Sequence, residues 1–387
     1  MRPRSLIITL VAVSAALALV GVLMVFSSSA AYAYVKYDGD SMYFLKKHVL
    51  NLAVATAVAV ACALVHYRLW ERLAAPAAIA VIALLAATLL VGVGSYAAPV
   101  HRWLKIGRFF LQPSELAKVA TVLVLAKYVA GRGRPANGYE RWFPFAAVAV
   151  MFAAVAAEPD FSMAFLIAAT ASVMLFLGGV RLRYLLGSTA VVVPLLAIMI
   201  SAQKYQVSRL MSYVDPWRYA RGRGYQVIQS LIALGSGGLF GKGLGASTQK
   251  LFYLPQPHTD FAYAILGEEF GFAGAAAVLL GFAVLIAAGF RTAARAPDAF
   301  GRYLAAGLTT TIGLGAAVNL CVVTGLIPTT GIPLPFLSYG GTSLVVTAAA
   351  VGMLVSVARR SGVENDFGYA REVSPPASLN GTFVDYV

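Results

Sequence analysis

Charge is what this sequence has least of. Asp, Glu, Lys and Arg make up 12% of its 387 residues, where soluble domains carry about a quarter. A chain this poor in charge cannot maintain an ordinary aqueous surface, so soluble enzymes, disordered tails and nucleic-acid binders are excluded as classes; no nucleic acid is expected among its partners. Cysteine is nearly absent. Cys62 and Cys321 both sit inside apolar stretches, which leaves no disulfide framework and no thiolate metal site. Acidic residues number 16 against 30 Lys and Arg, a formal net charge of +14. In a chain of this kind, excess cations anchor cytoplasmic loops and can bind lipid headgroups or phosphates.

What is abundant is apolar: 60% of the residues. Apolar runs cover 6–26, 49–65, 77–93, 116–130, 145–157, 163–180, 185–202, 261–290, 304–324 and 344–357, separated by charged or Gly/Pro-rich punctuation. They show no alternation of period two, so they read as helices and not as barrel strands. The expectation is an all-α polytopic membrane protein of about ten transmembrane helices. Arg2 and Arg4, Arg68 and Arg72, Arg132, Arg134 and Arg141, Arg181 and Arg183, Arg291, Arg295 and Arg302, and Arg359 and Arg360 all fall on one side under alternating topology. By the positive-inside rule that side is the cytoplasm, with both termini there. One transmembrane domain is expected over 1–360, and a disordered cytoplasmic tail over 361–387. The first run imitates a secretory signal peptide, but its apolar core is longer than a typical one and its removal would spoil the topology.

The long connection between helices 7 and 8, 203–260, is placed outside and is nonetheless basic, with Lys204, Arg209, Arg218, Arg221, Arg223, Lys242 and Lys250. A second outer loop, 95–112, adds Arg102, Lys105 and Arg108. Cations on the translocated side oppose the orientation bias. An anionic ligand explains them, and so does a long loop that translocates regardless of charge and meets lipid phosphates.

Ionisable groups at membrane depth are costly, so each is a functional candidate. Glu115 and Lys118, three residues apart at the start of the fourth helix, are spaced to pair, with orientation of the helix entry behind Pro113 as the plainer role. Glu158 and Asp160 flank Pro159 at an outer turn. The segment 254–263 leads through His258 and Asp260 into a helix that carries Glu268 and Glu269 two turns later. Asp260 can cap that helix or act as a lone carboxylate; Glu268, about 12 Å further along the axis, is too far to form a dyad with it. Between 324 and 343, Pro328, Pro333 and Pro335 with several glycines forbid a continuous helix, so this stretch must be buried in protein or line a wet cavity. The glycine-rich 235–245 lacks the Ser or Thr of a nucleotide loop after Lys242, and Asn380-Gly381-Thr382 lies on the wrong side for glycosylation.

Five of these motifs, in order, resemble the SEDS family (shape, elongation, division and sporulation): Arg102-Trp103 with 112–118, Glu158-Pro159-Asp160, Asp215-Pro216-Trp217, 258–261, and 331–336 with 338–341. Gly243-Leu244-Gly245 and 249–255 look more like its division branch, FtsW, than its elongation branch, RodA. The resemblance implies a peptidoglycan glycosyltransferase in the bacterial inner membrane, at the division septum. Its substrate is expected to be lipid II, the undecaprenyl-pyrophosphate-linked disaccharide-pentapeptide, and its partners a class B penicillin-binding protein and divisome regulators. It also implies that Asp260 is the essential carboxylate.

An inverting transfer from such a donor needs a base for the acceptor 4-hydroxyl and cations for the departing pyrophosphate. Asp260 is the expected base. Arg102, Lys105, Arg209 and Lys250 are the expected diphosphate ligands, with Gln112 and His258 beside the headgroup. Glu115, Lys118, Glu158, Glu268, Pro333 and Ser338 are expected in supporting roles. A divalent cation, Mg2+ or Mn2+, could share the charge. A lipid II flippase is the alternative from another class, and an elongation-type polymerase the alternative within the family.

Overall fold

The computed structural model describes residues 3–95, 98–107, 109–131, 138–201, 203–222 and 224–361. An apolar run in lipid must satisfy its own backbone hydrogen bonds, and every one of the ten runs is occupied by helix: α1 (Pro3–Lys36), α2 (Tyr43–Leu64), α3 (Tyr67–Val91), α4 (Pro113–Ala130), α5 (Gly138–Ala157), α6 (Phe161–Leu177), α7 (Leu182–Ser201), α10 (Ala262–Ala294), α11 (Ala299–Val323) and α12 (Gly341–Arg360). Six of these, α1, α2, α3, α10, α11 and α12, are long and apolar enough to cross a membrane by length and composition. They divide by burial. Within their most apolar stretches α11 is 72% and α12 78% buried, whereas α1 to α3 run from 17% to 28%. So α11 and α12 form the middle of the bundle, with α4 packed against them and the first three helices turned outward.

Two features correct the all-helical expectation. The segment 93–111 forms a three-stranded antiparallel sheet of β1 (Val93–Ser95), β2 (Ala98–Ile106) and β3 (Phe109–Leu111), in the order β1-β2-β3. His101, Trp103 and the aromatic pair Phe109-Phe110 are residue types that favour pleated backbone, and their short run carried no clear period. The long connection is also not an open loop: it folds into α8 (Lys204–Val214) and α9 (Gly224–Ser236). Arg223 and the residues 132–137, 96–97, 108 and 362–387 lie outside the described residues, so the expected tail and the basic patch at Arg132 and Arg134 do too.

α10 is kinked at Gly271, whose φ of 67° and ψ of −165° interrupt the helix. The backbone groups freed there are taken up by the glycine-rich segment that follows α9. Lys242 N donates to Glu268 O at 3.0 Å and Gly243 N to Glu269 O at 3.0 Å, while Gly238 O accepts from Phe272 N at 2.8 Å and Leu239 O from Ala273 N at 3.0 Å. A break in a buried helix is tolerable only with such replacement partners. Between α11 and α12 the chain is non-helical from Thr324 to Gly340, as its prolines and glycines require.

Candidate functional site

Asp260 stands just before α10 and is half-buried. It does not cap the helix: Phe261 occupies that position and the cap has no side-chain hydrogen bond. Two contacts hold it instead. Asn319, near the end of α11, donates from Nδ2 to Asp260 O at 2.9 Å and to Ile332 O at 2.7 Å, which ties the entry to α10 to the broken α11–α12 connection. A Cβ at Gly331, where φ is +81°, would lie 3.6 Å from Asp260 Oδ2, so the carboxylate rests against that glycine. Burial pushes the Asp260 carboxyl up to about 6, against the pull of the Arg209 and Arg102 guanidinium charges.

Those two arginines arrive from different elements. Arg209 sits on α8 and donates to Thr329 O at 3.4 Å. Ser162, at the start of α6, donates to Thr330 O at 3.1 Å, so the 329–332 backbone is pinned by α6, α8 and α11 together. Arg102 sits on β2 and closes the α5–α6 turn. It donates to Glu158 O at 3.3 Å and to Pro159 O, and its Nη1 lies 3.9 Å from Asp160 Oδ1. Asp160 accepts from Gln112 Nε2 at 3.3 Å and from Met163 N at 3.4 Å, where it caps α6. Glu158 is buried without a hydrogen bond to either oxygen, and burial with the nearby Asp160 charge raises it to about 8 despite Arg102. Asp160 is raised as well, by burial.

Glu115 and Lys118 form the expected pair on α4, 2.8 Å apart and almost wholly buried. Lys118 also lines a cavity of about 20 Å³ with Pro333, Ser343 and Thr347, room for a single water. Ser338 acts within the broken connection, where its Oγ accepts from Leu334 N at 2.9 Å.

Three expected diphosphate or headgroup ligands are placed otherwise. Lys250 is buried in an ion pair with Glu269, Nζ to Oε1 2.8 Å, and donates to Ser27 at 2.9 Å. Its charge is engaged with a carboxylate 19 residues along the chain, a pairing that helical spacing could not reveal. Lys105 is exposed and lies an odd number of residues from Arg102 on β2, so strand alternation turns it to the opposite face. His258 is buried among rings, 4.5 Å from Phe44 and 5.8 Å from both Tyr32 and Tyr339, and burial with the Lys36 charge lowers it to about 4. It is therefore neutral at pH 7 and offers no charge to a phosphate.

Glu268 turns inward to the clamp at the α10 kink. It accepts from Lys242 Nζ at 2.6 Å, Ser247 Oγ at 2.5 Å, Thr248 N at 3.1 Å, Thr248 Oγ1 at 2.8 Å and Gln249 N at 3.2 Å. Sequence reasoning missed Asn319, Ser162 and the rings around His258. Asn319 carries a signal, as a lone amide inside an apolar run, but a neutral amide lacks the charge that marks a costly group at membrane depth. Among the described residues, no group of three or more His, Cys, Asp or Glu is placed to hold a metal ion.

The chain matches the family model FtsW/RodA/SpoVE, described as cell cycle protein, over residues 7–362. It is 40% identical over 342 residues to the "Probable peptidoglycan glycosyltransferase FtsW" of Geobacter sp. (strain M18), covering 88% of this chain and 93% of that one. Stage V sporulation protein E of Bacillus subtilis (strain 168) is 38% identical over 355 residues, covering 91% and 96%. Among solved structures, a chain from work on the structural coordination of polymerization and crosslinking by a peptidoglycan synthase complex superposes with a TM-score of 0.73. Its identity is 30%, over 91% of this chain and 97% of that one. The rod shape determining protein RodA of Thermus thermophilus follows with a TM-score of 0.68 and 27% identity, over 92% and 97%.

Proposed function

Because this chain belongs to the FtsW/RodA/SpoVE family of cell cycle proteins, we propose that it is the peptidoglycan glycosyltransferase its relatives are named for, acting on lipid II at the division septum. It is a multi-pass membrane protein. The topology that fits the arginine pattern is ten spans with both termini cytoplasmic, and 203–260 and the small sheet outside. The transmembrane domain then covers 1–360, followed by a cytoplasmic tail over 361–387.

Each transfer joins the 4-hydroxyl of an acceptor sugar to the anomeric carbon of a lipid-linked donor. The Asp260 carboxylate takes the hydroxyl proton, and the oxygen attacks the anomeric carbon from the face opposite the leaving group. The bond to the pyrophosphate oxygen breaks with inversion, and undecaprenyl pyrophosphate departs with both electrons of that bond. Arg209 and Arg102 offset the charge of the leaving diphosphate, as planar guanidinium groups suited to phosphate oxygens. Asp160 and the Glu158 and Pro159 carbonyls hold Arg102, Gln112 holds Asp160, and Asn319 holds the Asp260 backbone.

The observation that carries this reading is a solitary, half-buried carboxylate raised to about 6 with two arginine charges on it. A base poised near neutrality is ionised at working pH yet still binds a proton well. The peptidoglycan synthase complex among the structural relatives favours a class B penicillin-binding protein as partner, and divisome regulators follow from a septal role. The test is to incubate the purified chain, with and without a class B partner, with lipid II and look for glycan polymer. Polymer from the wild type and none from Asp260→Ala is the expected result; polymer from both overturns the assignment of the base.

A further inference from the structure

A helix on a water-facing surface turns its apolar stripe toward the protein and its polar side chains toward solvent. α8 does the reverse. At about 100° per residue, Val207, Leu210, Met211 and Val214 share one stripe about 100° wide, and Ser208, Arg209, Ser212 and Tyr213 fill the remainder. The polar side is the one fastened to the bundle. Arg209 donates to Thr329 O at 3.4 Å, Tyr213 Oη donates to Leu326 O at 2.7 Å, and the buried Ser212 donates to Arg209 O at 2.9 Å. The apolar side is turned away, with Leu210 48%, Met211 53% and Val214 75% exposed. Water does not favour such a surface, whereas an apolar medium does.

The surroundings of α8 say which medium it is. Its 11 residues are too few to cross a bilayer, since they reach about 16 Å against a hydrocarbon core of about 30 Å. The helix therefore lies along the membrane boundary. The apolar helix α7, with Leu182, Leu186 and Ile198 exposed, ends at Ser201, and only residues 202 and 203 separate it from α8. So the stripe begins where a lipid-facing helix ends. Just after α8 come Trp217 and Tyr219, both exposed, interleaved with the exposed Arg218 and Arg221. Aromatic rings with cations beside them suit the headgroup level, where the rings bridge apolar and wet layers and arginine meets phosphate. A groove on another protein gives no reason for the stripe to continue from α7, or for arginines to follow it.

We propose that α8 lies in the plane of the leaflet on the Asp260 side, with Leu210, Met211 and Val214 among the acyl chains, Trp217 at headgroup level, and Arg218 and Arg221 on lipid phosphates. Bilayer phospholipid then presses the polar side of α8 onto the broken α11–α12 connection and so positions Arg209. The role of Arg209 rests on the glycosyltransferase reading; the seating of the helix does not.

Spin labels on the full-length chain in phosphatidylglycerol nanodiscs test the seating. With Cys62 and Cys321 replaced by Ala, labels at Leu210→Cys, Met211→Cys and Val214→Cys are introduced one at a time. Each should collide more with oxygen, which partitions into lipid, than with a water-soluble nickel chelate, as a label at the exposed Ile79 of α3 does. The reverse preference puts the stripe in water, and protection from both reagents puts protein over it; either overturns the proposal. Adding Arg218→Gln and Arg221→Gln should shift the Val214 label toward the chelate, and no shift overturns the phosphate contact. The seating should also reach the chemistry. Leu210→Gln with Val214→Gln should lower polymerisation of lipid II at least about tenfold, the worth of one charged contact, while Leu210→Phe with Val214→Phe stays within about twofold. The Gln pair should also move the acidic limb of the pH profile upward, as Arg209→Ala does, with the melting temperature of the bundle unchanged. An unchanged rate and limb overturn the link to Arg209. A wild type that makes no polymer removes the glycosyltransferase reading, and the label depths then decide the seating by themselves.

Discussion

At the scale of single residues, the chemistry turns on how Asp260 and Glu158 hold their protons. Asp260 is raised from 3.8 to about 6, so its basic form is lost as pH falls through 6. Polymerisation should therefore be half-maximal near pH 6 and rise to a plateau above it. Arg209→Ala removes a charge that favours the carboxylate, so the acidic limb should move to higher pH while the maximum falls. Asp260→Ala should cost about 10²–10⁴-fold in rate, the usual worth of a positioned base. The same shift has a stability consequence. A carboxyl whose pKa is raised in the folded state contributes stability below its unfolded value that is lost as pH climbs through the folded one. At neutral pH Asp260→Asn should therefore melt at a higher temperature than the wild type, and the difference should shrink as pH falls through 6 and vanish below 3.8. Glu158, raised to about 8, is protonated at pH 7, so Glu158→Gln should leave polymerisation at pH 7 within about twofold, an isosteric and equally neutral exchange.

Among the elements, the clamp between 237–250 and α10 carries the stability that places Asp260. Glu268 is fully buried and accepts five hydrogen bonds from this segment, and Glu269 pairs with Lys250. Removing Glu268 takes the acceptor from Ser247, Thr248 and Gln249 and the partner from the exposed Lys242, so Glu268→Ala should cost about 1–3 kcal/mol, the penalty for donors left unsatisfied in a buried site. Gly241 tests the same contact from the other side. A Cβ there would meet Glu269 O at 2.1 Å, at a φ of +80° that side chains avoid. Gly241→Ala should lower the melting temperature and expose 237–250 to protease, where Gly235→Ala, with open space at its Cβ, should not.

This clamp marks where the sequence stops being legible. The helices could be read because a lipid solvent demands long apolar runs, and Glu115–Lys118 because a helix brings i and i+3 together. Asp260 was legible through its motif. Lys250 was not, since Glu269 and Ser27 meet it only after α1 and α10 pack, across separations no local period encodes. The β2–β3 hairpin and α8 were hidden for a related reason: the first is a short aromatic and aliphatic run with no clear period, and the second lies in a polar, basic stretch where no hydrophobic run reports the fold.

For the whole molecule, the distribution of charge separates a polymerase from a flippase. A flippase must offer the headgroup of lipid II a polar route between both faces. Here Asp260, Arg209, Arg102, Glu158, Asp160 and the Glu115–Lys118 pair converge on the neighbourhood of the broken α11–α12 connection. A separate cluster, Tyr67, Arg68 and Asp298, ties the α2–α3 turn to the start of α11, at the opposite end of that helix from Asn319. Between them α11 passes through the middle of the bundle with Thr309, Thr310 and Thr311, and each hydroxyl is spent on its own helix backbone four residues earlier. The Glu115–Lys118 ion pair reaches that interior, with Lys118 lining the same small cavity as Thr311, and its two charges are spent on each other. In vesicles loaded with fluorescent lipid II, the purified chain should consume the outer-leaflet substrate into polymer when its Asp260 side faces out. It should leave the rate of leaflet exchange, read by quenching with an impermeant reductant, equal to that of protein-free vesicles. Asp260→Asn separates the two activities most sharply, because a transporter that merely ferries the headgroup would keep exchanging lipid II with the base removed, whereas a polymerase would fall silent in both measurements.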